Sequence, residues 1–126
     1  MMSVSLALLL GAKGSGKTFF LYKIVSEENW QASQKKKQLV LPAEDEKFIH
    51  LAEEAQLKKI IQKCWKDKSS FYLLKISPQK LKGKLVKEKN PGGNTEYYHL
   101  YNGSIPLSAV IKAEHIKQAD LVLSKY

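Results

Sequence analysis

Apolar positions along the chain fall into short extended runs interrupted by two stretches of a different character. Phe19 to Val25 is aromatic and β-branched without a recurrence of 3.6 residues, which predicts a strand. Ser26-Glu27-Glu28 follows it with a capping hydroxyl and two acids suited to a helix N-terminus. This predicts a helix from Glu27 to about Lys37, with Trp30 as its one large apolar anchor. Pro42 to Glu46 reads as an acidic loop, and Phe48 to Leu51 as a short extended segment. Leu57, Ile60, Ile61, Cys64 and Trp65 then recur at helical spacing, predicting a second helix over Glu53 to Trp65 with Cys64 in the core or half-buried.

The second half is richer in strands. Ser70 to Ile76 predicts a strand, Ser77 to Lys80 a turn or a single helical turn, and Leu85 to Lys87 a weak strand. Asn90-Pro91-Gly92-Gly93 is a turn signal; Glu96 to Tyr101 and Ala109 to Lys112 predict further strands, and the tail from Ile116 to Tyr126 a short helix. Helices early and strands late predict an α+β fold built on a mixed, mostly antiparallel split sheet with two helices. At 126 residues the chain fits one compact domain, expected over 19–116 and followed by a tail over 117–126.

Charge narrows the classes of partner. The formal net charge is +9 and every cation is a lysine, because the chain holds no arginine. Lysine is a hydrated point charge without the planar fork that reads phosphate or guanine in two bonds, so specific nucleic-acid recognition is not expected. Lys35-Lys36-Lys37 and the lysines from Lys80 to Lys89 leave open a non-catalytic binding module that draws partners to a basic surface. No apolar run approaches the roughly 20 residues needed to cross a bilayer, so no membrane span is expected. Ser3 to Leu10 lacks the preceding basic residue and the clear cleavage pattern of a secretory signal, and a lone cysteine suits a reducing compartment; a cytoplasmic location is expected.

Gly11-Ala12-Lys13-Gly14-Ser15-Gly16-Lys17-Thr18 satisfies the phosphate-loop pattern in full. In such a loop Lys17 would reach the terminal phosphates and Thr18 would ligate magnesium. The pattern must open a helix, however, and the segment after Thr18 reads as a strand. The later apolar runs also end in Pro42 and Ser77-Pro78 rather than in an acid that could hold magnesium. Residues 1–18 are therefore expected to be a flexible or mis-started glycine-rich leader, with nucleotide binding through Gly11 to Thr18 as a third reading.

Several ordered motifs bear on the rest. Leu21-Tyr22-Lys23-Ile24 precedes a helix containing Trp30, Phe48-Ile49-His50-Leu51-Ala52 follows, then Leu73-Leu74-Lys75-Ile76-Ser77-Pro78, and finally the run from His99-Leu100-Tyr101 through Ile105-Pro106-Leu107 to Ala109-Val110. In these motifs the chain, from Phe20 to about His115, resembles the bacterial family called domain of unknown function 952. The resemblance implies a fold similar to the ADP-ribosyltransferase catalytic domain, whose cleft holds NAD, and makes NAD the cofactor to consider. It also implies likeness to RNA 2′-phosphotransferases, whose phosphate-holding arginines have no counterpart here. Lys23 stands where the family pattern has His, and Ala52 where it has Ser or Thr; both changes count against carrying a reaction over.

The candidate site follows from the two segments most like the family signatures. His50 and His99 are suited to acid-base work or to hydrogen bonding a ribose, and Glu96 to orienting a hydroxyl or stabilising an oxocarbenium-like centre. Tyr22, Lys23 and Tyr101 are the accompanying ligand-binding candidates. The competing reading is that each histidine bonds nearby backbone and holds a loop. If the domain is an enzyme, a glycosyl or ADP-ribosyl-type transfer of a small-molecule substrate is the expected class. His50, His99, His115 and Cys64 have no close ligand spacing, and no metal is expected.

Overall fold

The computed structural model describes residues 19–124. The leader over 1–18, and with it the Gly11 to Thr18 motif, lies outside the described residues. The chain then runs β1 (Leu21–Val25), α1 (Glu27–Lys36), β2 (Ile49–Leu51), α2 (Leu57–Cys64), β3 (Ser70–Ile76), β4 (Lys82–Lys89), β5 (Glu96–Ser104), β6 (Val110–Lys117) and α3 (Gln118–Ser124), with single 3-10 turns at Ala43–Asp45, Glu54–Gln56, Pro78–Lys80 and Leu107–Ala109. The segment after Thr18 thus enters a strand and not the helix that a phosphate loop opens.

Among the described residues the strands form two three-stranded sheets, ordered β1-β3-β6 and β2-β5-β4. Every strand pairing among the described residues is antiparallel, where a mixed sheet was expected. A bridge joins the sheets where Tyr22 and Ala52 exchange backbone hydrogen bonds of 2.8 and 2.9 Å. This bridge puts β1 beside β2, and all five β1 residues are buried. Tyr22 and Ile24 enter one apolar cluster with Leu57, Ile61, Phe71 and Leu73, while Leu21 and Val25 enter a second with Ile49, Leu51, Leu74 and Leu100. The period-2 alternation of one strand therefore supplies two cores.

Helix α1 begins as its sequence predicts, with Ser26 Oγ accepting from Asn29 N–H at 3.0 Å, and it ends where Lys37 turns left-handed. The second helix is shorter than its periodicity implies. Glu54–Gln56 is a 3-10 turn closed by a reciprocal Glu53 and Gln56 cap, and regular α-helix starts only at Leu57. Strand β4 is longer than expected because pairing with β5 holds its Lys- and Gly-rich ends in the ladder. Gly83 sits at φ 117° beside a register shift, and a Cβ on Gly103 would lie 1.9 Å from the Lys82 carbonyl oxygen, so the two glycines allow the backbones to approach closely at the bulge. Strand β6 runs on to Lys117, and Leu121 of α3 packs into the first cluster, so the tail expected from 117 meets the same core. No helix of the described residues is long and apolar enough to cross a membrane.

Candidate functional site

A cleft of about 530 Å³ opens between α2 and the loop joining β4 to β5. One wall is helical, with Lys59, Ile60, Lys63, Cys64 and Trp65; the other is Asn90 to Thr95 with Tyr97. Tyr22, Lys23, Asp45 and His50 line its floor. Cys64 is exposed at this rim, which corrects the buried or half-buried position expected for it: Leu57 and Ile61 take the core-facing stripe of α2. Among the described residues no group of three or more His, Cys, Asp or Glu side chains is placed to hold a metal ion.

Lys23 is the unusual member of the floor. Its side chain is 7% exposed, and its ammonium lies 2.6 Å from Asp45 Oδ2 and donates to the His50 carbonyl at 2.8 Å. Burial pulls the Lys23 ammonium below its ordinary value against the attraction of Asp45. Burial pushes the Asp45 carboxyl upward, but the hydrogen bond from His50 and the charge of Lys23 outweigh it and the group titrates below the usual aspartate range. The other Asp45 oxygen, Oδ1, is 2.7 Å from His50 Nδ1. The carboxylate thus fixes the proton on Nδ1 and leaves Nε2 as the ring nitrogen for a further partner. Asp45 ties a strand lysine to a strand histidine across the bridge between the two sheets.

His99 pairs directly with His50 across β2 and β5, and the ring centroids are 5.2 Å apart. It is completely buried and does not line the cleft. Phe48 stacks on its ring at 4.1 Å; Nδ1 meets Glu88 Oε2 at 2.7 Å, and Nε2 meets Asn90 Oδ1 at 2.7 Å. Tyr101 donates its hydroxyl to the same Glu88 oxygen. That bond, then burial, raises the Tyr101 value, and Glu88 is lowered by its bonds to Tyr101 and His99.

The six expected site residues therefore separate. Tyr22, Lys23 and His50 line the cleft, whereas His99 and Tyr101 share a network behind it. Glu96 joins neither. Along the regular β5 ladder Tyr97, His99 and Tyr101 share one face, so Glu96, an odd number of positions from His99, projects from the other. The carboxylates that do meet the histidines, Asp45 and Glu88, escape sequence reasoning. Asp45 is one of three acids in the Glu44-Asp45-Glu46 loop, and Glu88 follows a run too lysine-rich to read as a strong strand. A signal for Asp45 did exist: a lysine inside the apolar run Leu21 to Val25 requires a buried counter-charge.

Comparison with known proteins places the fold. A family model described as protein of unknown function (DUF952) matches residues 24–113. The crystal structure of protein CC0527 from Caulobacter crescentus is similar at a TM-score of 0.67 and 26% identity, over 76% of this chain and 84% of that one. The solution NMR structure of CC0527 agrees at the same TM-score and identity, over 78% of this chain. None of the curated proteins matches the chain.

Proposed function

The chain belongs to the family described as protein of unknown function DUF952, and from that premise we propose that it is a small cytoplasmic domain binding an anionic, nucleotide-like ligand in the cleft at His50. The observation that carries this reading is the composition of the cleft. An imidazole oriented through Nδ1 by a buried carboxylate stands at the floor, two lysines one helical turn apart (Lys59 and Lys63) line one wall, and Trp65 and Tyr97 contribute rings. Convergent polar groups in a concave and partly apolar site are what a ligand of this class needs. Lysines suit phosphate as point charges, aromatic rings suit a base, and His50 Nε2 suits a ribose hydroxyl.

The likeness to the ADP-ribosyltransferase fold is proposed from the sequence resemblance alone, and NAD is accordingly the first ligand to test. The proposal stops at binding. The carboxylates lining the cleft are Asp45, already engaged by Lys23 and His50, and Glu44 beside it on the same turn. Glu96, the residue expected to stabilise developing positive charge, is not among those that line it.

Calorimetric titration of NAD⁺ into the protein and into His50→Gln tests the reading. Saturable binding that weakens at least fivefold in the variant supports it. Equal affinity for both would remove His50 from the site, and no heat with either would remove this ligand.

A further inference from the structure

The loop Asn90 to Thr95 forms one wall of the cleft, yet the β4–β5 ladder ends before it, at the pair Lys89 and Glu96. Among the described residues two hydrogen bonds hold its root, and both involve Asn90. The Asn90 carbonyl accepts from Gly93 N–H at 2.9 Å, closing the turn, and the Asn90 side chain meets His99 Nε2 at 2.7 Å. The first bond shapes the loop and the second fixes it to the sheet. We infer that His99 is a positioning residue: through Asn90 it anchors the wall of the cleft opposite α2 and so sets the fit of whatever binds there.

The chemistry of the ring makes the anchor robust. Glu88 Oε2 already accepts the Tyr101 hydroxyl and is an acceptor for His99 Nδ1 as well, so Nδ1 carries a proton. Nε2 is then bare in the neutral ring and accepts from the Asn90 amide NH₂; in the imidazolium it donates to Asn90 Oδ1. A half-turn of the amide interconverts the two arrangements. A buried imidazole must satisfy both nitrogens to offset its desolvation, and His99 spends the second one on the first residue of a loop instead of on the sheet. This bond is what couples a fully buried side chain to the surface of the cleft.

The effect on binding rests on the ligand reading above; the anchoring itself does not. The test is Asn90→Ala, a change at the partly exposed partner that leaves the backbone turn intact. With ¹⁵N-labelled protein free of ligand, the order parameters of Gly92, Gly93, Asn94 and Thr95 should fall from about 0.85 to below about 0.6, with β3 and β6 unchanged. The His99 Nε2 resonance should move while Nδ1 stays. Unchanged loop order parameters would overturn the anchoring. NAD⁺ affinity should drop at least fivefold in the variant, and a loosened loop with undiminished affinity would overturn the link to ligand fit. Failure of the unsubstituted protein to bind NAD⁺ would sink the ligand reading instead, with the relaxation contrast still deciding the anchor.

Discussion

His50 and His99 face each other across β2 and β5 with ring centroids 5.2 Å apart, and their surroundings give them different work. Direct opposition on antiparallel strands places both side chains on one face of the sheet. Phe48 stacks over His99 and leaves His50 at the cleft. Each imidazole carries its own carboxylate, Asp45 for the first and Glu88 for the second.

Removing the charge of Asp45 should be costly. In Asp45→Asn the Lys23 ammonium remains buried without its counter-charge, and the expected loss is about 3–5 kcal/mol. Adding Lys23→Met should recover much of it, because the pair is replaced and no longer broken. Urea unfolding of the two single variants and the double variant measures this, and additive losses would contradict the pairing.

Acid should attack the same pair. The folded-state value of Asp45 lies below its unfolded value, because the hydrogen bond from His50 and the charge of Lys23 outweigh burial. Its contribution is therefore complete above the ordinary aspartate value, roughly pH 4, and is lost as pH falls through the lower folded value. Stability measured from pH 6 downward should decline over that window in the unsubstituted protein and more weakly in Asp45→Asn.

Gly83→Ala should destabilise through backbone strain and a close contact. At φ 117° an L side chain is strained, and its Cβ would also lie 2.6 Å from the Tyr101 carbonyl oxygen. The backbone cost is roughly 1–3 kcal/mol, read as a lowered thermal midpoint. Gly92→Ala, with φ 77° but no atom within 4 Å of the added Cβ, should cost less.

Lys59→Ala and Lys63→Ala change exposed helix positions and should leave stability within about 0.5 kcal/mol. Each should nevertheless weaken NAD⁺ binding several-fold, more at low salt than at high salt. Lys35→Ala, on α1 and away from the cleft lining, should not.

Much of the architecture was legible because alternation and turn signals agree with it. Ser70 to Ile76 and the Asn90 to Gly93 turn fall where their residues predict. Strand β4 did not declare itself, since its ends are exposed lysines and a glycine that carry no apolar alternation. The site was legible only where a residue type is unusual for its place. His50 and Lys23 stand out inside apolar runs, whereas Asp45 and Glu88 look like ordinary surface acids until the fold brings β1 beside β2 and β4 beside β5. Glu96 was drawn in by closeness along the chain, which period-2 geometry overrides.

The most direct test of the cleft as a ligand site is an NMR titration of labelled protein with NAD⁺, following the His50 ring and the backbone amides of Lys59, Lys63, Gly92, Gly93 and Tyr97. The account predicts saturable shifts concentrated on these residues, with His50 Nε2 moving more than Nδ1. Shifts confined to Lys35-Lys36-Lys37 and the Lys80 to Lys89 stretch, or none at all, would contradict it.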